Sequence, residues 1–124
     1  MHPYPYILTQ VAREWVEAFN RHDLEALLAL YADEATHSSP KLLARQPKTG
    51  GKITGKPDLR AWWSQAFLCL PSLHYELKTI IAGFDGRVVI EYERLADGEE
   101  TIRIAEVFDV GEDKLISESR VYHG

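Results

Sequence analysis

The hydrophobic pattern of this chain changes kind once, near Pro71: apolar residues recur at helical spacing before it and at every second position after it. A helix buries a stripe of residues three and four apart, a strand buries alternate ones. The chain therefore divides into a helical half followed by a sheet. After Thr9, a plausible N-cap, Val11, Ala12, Trp15, Val16 and Phe19 mark a first helix that ends at "NRHD". Asp23 can cap a shorter second helix carrying Leu24, Leu27, Leu28 and Tyr31, and residues 35–39 suit a short strand ended by Pro40. Pro57 opens a third helix whose stripe runs through Leu59, Trp62, Trp63, Ala66, Phe67 and Leu70. Residues 73–82, 87–94, 100–110 and 115–122 then alternate as four antiparallel strands separated by "GFDG", "LADGE" and "VGEDK" turns. Three helices followed by such a sheet predict an α+β fold in which the helices cover one face of the sheet.

At 124 residues the chain is expected to form a single domain, residues 1–124. Fourteen basic against 19 acidic residues, a net charge of -5, argue against a nucleic-acid partner. The longest apolar run, residues 26–32, is seven residues and predicts no membrane span; with no basic-then-apolar leader at "MHPYPYILTQ", a cytoplasmic location is expected. The one cysteine, Cys69, falls among apolar residues of the third helix and reads as a packed thiol.

Two features carry chemical information. In "IRIAEVF" strand parity puts Glu106 on one face with Ile102, Ile104 and Phe108, an acid among apolar neighbours. Residues 40–57 have no apolar period and hold Lys41, Arg45, Lys48, Lys52 and Lys56 with no acid between them. This reads as a long basic loop, suited to be a lid that draws an anionic molecule, or simply a solvated surface segment. The five histidines make no metal-binding spacing, and no phosphate-binding or nucleophile-elbow motif occurs, so neither a metal nor a cofactor is expected.

The stretch "WVEAFNRHDLEALLALYADEATHSSP", then "GKPDLRAWW", then "AEVFDVGEDKLISESRVY" resembles the SnoaL-like and steroid Δ-isomerase branch of the nuclear transport factor 2 superfamily over nearly the whole chain. The resemblance implies a cone: a strongly curved, mainly antiparallel sheet wrapping helix three, with an apolar pocket at the open end and a homodimer through the outer sheet face. Family members include isomerases, cyclases, dehydratases and epoxide hydrolases, besides binding and assembly modules. Ser39, before Pro40, stands where the family's isomerases have their basic Asp, and Trp15 stands where they have an oxyanion-binding Tyr. Both changes argue against ordinary steroid isomerase chemistry. Glu106 matches the family's third position, an acid kept protonated by apolar surroundings; that base-plus-neutral-acid pattern is the steroid isomerase case.

Parity from Ile116 puts Glu118, Arg120 and Tyr122 on one face, which the resemblance turns inward, while His37 shares a face with Ser39. The expected site therefore has His37 as general base, Glu106 or Tyr122 as donor to an oxyanion and Arg120 as the group that orients an anion, lined by Trp15, Tyr31, Ser39, Trp63 and Glu118. The bland alternative is a buried Glu106–Arg120 ion pair beside an inert His37. The expected partner is a small apolar molecule with a polar or anionic group. A cofactor-independent lyase, isomerase or cyclase, a non-catalytic binding protein and a dimeric assembly domain all remain open.

Overall fold

The computed structural model describes all residues from Met1 to Gly124. Its elements in chain order are helix α1 (Pro5–Asn20), helix α2 (Leu24–Leu28), strand β1 (Tyr31–Ser38), helix α3 (Pro40–Arg45), a 3-10 turn (Pro47–Thr49), strand β2 (Lys52–Thr54), helix α4 (Lys56–Cys69) and strands β3 (His74–Ala82), β4 (Arg87–Leu95), β5 (Ile102–Val110) and β6 (Ile116–His123). All six strands form one sheet in the order β2-β1-β6-β5-β4-β3. The class is the expected α+β one. The sheet gains two strands at one edge because β1 pairs parallel with β6 and antiparallel with β2.

The "NRHD" junction has a physical explanation. Asn20, the last residue of α1, donates through Nδ2 to the Tyr75 carbonyl and accepts from the Tyr75 N–H, both at 2.8 Å, so the helix end is clamped to β3. His22 then turns the chain with φ 53°, in the left-handed region, and its ring bonds the Leu73 carbonyl at 2.7 Å. Asp23 accepts from the Ala26 N–H and starts α2. Four residues thus end one helix, fix it to the sheet and begin the next.

Several local expectations need correction. Thr9 lies inside α1 and bonds back to the Pro5 carbonyl, since Pro5 already opens the helix with a fixed φ and no N–H to satisfy. Tyr31 is the first residue of β1, drawn into the sheet beside Ile116. Residues 40–57 are not a featureless loop: Ser39 caps α3 by accepting from the Leu42 N–H at 3.0 Å, and Ile53 of β2 pairs with His37. Cys69 is exposed at the end of α4.

One apolar core of 25 buried residues joins the inner stripe of α1 and α4 to the even-numbered inner positions of β4 and β5. Trp15 is its hub, with its ring 5.2 Å from Phe19, 5.8 Å from Tyr75 and 5.1 Å from Phe108. Stacked and tilted rings at these separations add to the burial itself.

Candidate functional site

The inner face of the sheet and helix α4 enclose a cavity of about 50 Å3, lined by Trp15, His37, Ser39, Trp62, Trp63 and Glu106 among others. Its position follows from local pattern: Ala35, His37 and Ser39 alternate onto the inner face at the end of β1, and Trp62 and Trp63 stand on the sheet-facing side of α4. The volume is smaller than the roughly 150 Å3 that admits benzene to an engineered apolar cavity. A molecule entering here is either very small or moves side chains at the rim.

At the inner end a chain of hydrogen bonds fixes a proton direction. The indole Nε1–H of Trp15 donates to the Tyr31 hydroxyl at 3.0 Å, Tyr31 donates to Ser119 Oγ at 2.9 Å, and Ser119 Oγ lies 2.7 Å from His37 Nδ1. Because indole only donates, Tyr31 is left free to give its own proton to Ser119, and the serine proton goes to His37 Nδ1. His37 is therefore the Nε2–H tautomer. Burial also pushes its pKa down to about 3, so the ring is neutral and offers an N–H rather than a lone pair. Tyr31 is held well above the ordinary phenol range by burial and by the nearby Glu106.

Glu106 is 1% exposed. Its Oε1 accepts from the Tyr92 hydroxyl at 2.7 Å, and its Oε2 is the one buried side-chain oxygen without a partner. Burial raises its pKa to about 8, against the opposing pull of the Tyr92 bond. The acid among apolar neighbours is thus an uncharged carboxyl group at neutral pH, with one oxygen fixed and one unspent. Arg120 pairs with Asp109 and Glu118 instead, so the buried Glu106–Arg120 ion pair does not exist.

The last strand contains the principal correction. Asp109 pairs with Glu118 but Val110 pairs with Ile116, so Ser117 is the extra residue of a bulge. The bulge reverses parity: Ser119 and Val121 face inward, opposite Phe108 and Glu106, while Glu118, Arg120 and Tyr122 lie on the outer face. Arg120 bonds Asp109 at 2.7 Å and Tyr122 is half exposed. These three residues do not reach the cavity. Ser39 does line it, and its Oγ accepts from the Leu42 N–H as the cap of α3. The sequence reading missed Ser119, Tyr92 and Arg94. The last two were detectable, because Val88, Ile90, Tyr92 and Arg94 alternate on one face as Ile102, Ile104, Glu106 and Phe108 do.

The cavity mouth is basic. Lys41 and Arg45 of α3 line it together with Arg94 and His123. Arg45 stands 5.9 Å over the Trp62 ring, a cation–π distance. Arg94 is 5% exposed and bonds Glu99 at 2.6 Å; Lys41 reaches the same carboxylate oxygen at 3.7 Å. The Arg94 bond, helped by Lys41 and Arg45, keeps Glu99 below its ordinary pKa.

No helix is long and apolar enough to cross a membrane. Among curated proteins none matches the sequence. Solved structures do. A SnoaL-like protein from Burkholderia thailandensis is 32% identical over 100% of this chain and 99% of its own, with a TM-score of 0.88. A cystatin-like protein from Methylobium petroleophilum is 20% identical over 100% and 80% of the two chains, with a TM-score of 0.82. A protein from Sinorhizobium meliloti described as a candidate polyketide cyclase is 14% identical over 91% and 94%, with a TM-score of 0.76. The model of the SnoaL-like domain matches residues 12–119. With that match spanning most of the helices, the Glu106 strand and the Ser117 bulge, the chain belongs to the SnoaL-like domain family.

Proposed function

We propose that the cavity moves a proton on a small carbonyl compound without a cofactor, with Glu106 as the proton carrier. The observation that carries this is the buried, unpartnered Oε2 of Glu106, a residue that lines an aromatic-walled cavity. A carboxyl group whose pKa is about 8 is ionised to the order of a tenth at pH 7, and the ionised fraction is a stronger base than an ordinary carboxylate. In the step proposed, Glu106 Oε2 takes a proton from the carbon next to a carbonyl, the C–H electron pair becomes an enolate, and its oxygen accepts the Nε2–H of His37. Return of the proton to another carbon gives isomerisation; attack of the enolate carbon on a second carbonyl of the same molecule, whose oxygen takes the electron pair of its C=O π bond and then the proton from Glu106, gives cyclisation. The similarity to the Sinorhizobium meliloti protein supports the second outcome.

This assigns roles differently from the sequence expectation. His37 is the oxyanion donor rather than the base, because the bonds from Trp15 through Ser119 occupy its Nδ1 lone pair. Trp15 and Tyr31 act as positioning residues behind it. Neutral imidazole as an electrophile is an established solution to the same problem. We further propose a homodimer through the outer sheet face, where Ile81 and Tyr122 are exposed.

A second reading, binding without catalysis, is favoured by the small cavity and by Ser39 in place of the family's basic Asp. One measurement separates the two. Infrared difference spectra over a pH titration should show a protonated carboxyl band that is absent in Glu106→Gln and disappears with a midpoint near 8. A midpoint in the ordinary carboxylate range would remove Glu106 as carrier.

A further inference from the structure

The proton-transfer reading uses the inner end of the cavity and leaves its basic mouth unexplained. We infer that the mouth is a carboxylate-binding subsite: the molecule taken up carries a carboxylate that Arg94 and Lys41 hold in the place Glu99 now fills. This rests on the cavity being the binding site and adds the class of ligand, a small keto acid.

Arg94 is the first reason. A side chain 6% exposed that carries a permanent charge needs an anionic partner, and that partner here is a single carboxylate. Glu99 comes from the turn between β4 and β5, and its own side chain is 30% exposed. It can swing into water at little cost, whereas Arg94, on a central strand, cannot leave. The geometry of Glu99, 2.6 Å from Arg94 and 3.7 Å from Lys41, shows that a carboxylate fits there.

Charge is the second reason. Lys41, Arg45 and Arg94 line the cavity, Glu99 is the acid paired with them, and Glu106 is uncharged at neutral pH. The mouth thus keeps a surplus of positive charge on a chain of net charge -5. His123, at the same rim, has its pKa lowered by burial and by the charges of Lys41 and Arg94, so it too registers that field.

The test uses 4-oxopentanoate, which has a carboxylate at one end and a ketone at the other, and its uncharged methyl ester. Affinity is measured by NMR titration against the whole chain. The acid should bind about tenfold more tightly than the ester, the value of one charge-assisted hydrogen bond. Arg94→Gln should erase that preference, and Glu99→Gln, which removes the competing carboxylate, should tighten the acid and leave the ester unchanged. If Arg94→Gln does not fold, Lys41→Gln should weaken the acid alone. Equal affinities for acid and ester, failure of the acid to bind at millimolar concentration, or a Glu99→Gln variant that binds the acid no better would each overturn the subsite. Deuterium uptake at the carbons beside the ketone is read in the same samples and reports on Glu106. Acid binding without deuterium uptake leaves the subsite standing and counts against proton transfer; uptake with equal affinities does the reverse.

Discussion

The two ends of the cavity solve opposite electrostatic problems within one small space. At the inner end His37 and Glu106 are both ionisable and both neutral, because burial moves each pKa in the direction that removes its charge. At the mouth Arg94 and Glu99 are both charged, because each supplies the other's counter-ion. An isolated buried ion is too costly, so a group either loses its charge or finds a partner. The inner end lost its charges and kept an unspent oxygen; the mouth kept its charges and holds a replaceable one. A proton carrier needs the first arrangement and an anion site needs the second.

The largest expected effect that tests this contrast is the pH dependence of stability. Glu106 has a folded pKa of about 8 against an unfolded value near 4.3, so its stabilising contribution is complete below about pH 4.3 and is lost as pH rises to about 8. His37 has a folded pKa of about 3 against roughly 6.5 unfolded, so its contribution is complete above about pH 6.5 and is lost as pH falls to about 3. The two slopes oppose one another between about pH 4.3 and 6.5, and Glu106 acts alone above that. Urea unfolding should therefore show stability falling between pH 6.5 and 8 by roughly 2 kcal/mol at about 1.4 kcal/mol per pH unit, and Glu106→Gln should abolish the fall. A wild type that is flat across that interval would show that Glu106 ionises normally and that burial does not hold it protonated.

Next in size is the hydrogen-bond chain. Ser119→Ala leaves the Tyr31 hydroxyl without an acceptor and His37 Nδ1 without a donor, in the middle of the core. The expected cost is about 1–3 kcal/mol in the same urea titration. Because His37 can then change tautomer, deuterium uptake by 4-oxopentanoate should fall more than its affinity does. Loss of affinity and exchange in equal proportion would mean that Ser119 only shapes the cavity.

The contrast also explains how much was readable beforehand. Helical and strand periods are local, and they marked out α1, α4 and the four long strands to within a few residues. Glu106 was legible for the same reason: one acid on an otherwise apolar face breaks the alternation wherever the sheet lies. Arg94 breaks it in the same way, one cation on the otherwise apolar face of Val88, Ile90 and Tyr92. Ser119 was hidden by a non-local cause. Counting by twos from Ile116 assumes a regular strand, and the bulge at Ser117 is a property of the ladder between β5 and β6. The reverse count from Val121 would have set two charged side chains and a tyrosine outward, which agrees with the usual burial of these residue types. Strand β2 was equally hidden, since three residues held by pairing with β1 leave no period of their own.

The smallest expected effect concerns the outer face and sharpens the comparison by contrast. Arg120 there has Asp109 at 2.7 Å and Glu118 at 3.5 Å, with side chains between 22% and 31% exposed. Arg87 bonds Asp109 at 2.9 Å from the other side, so the carboxylate keeps a partner when Arg120 is removed. Arg120→Gln should therefore cost no more than about 1 kcal/mol, as solvent screens the pair. Asp109, whose pKa Arg120 and Arg87 hold down against the effect of its own partial burial, should titrate higher. The affinity for 4-oxopentanoate and its exchange should not change, because the bulge has turned Arg120 away from the cavity. If Arg120→Gln instead weakened the keto acid as Arg94→Gln does, the cation that orients the anion would lie on β6 after all, and the division of the site into a neutral inner end and a charged mouth built on Arg94 would fail.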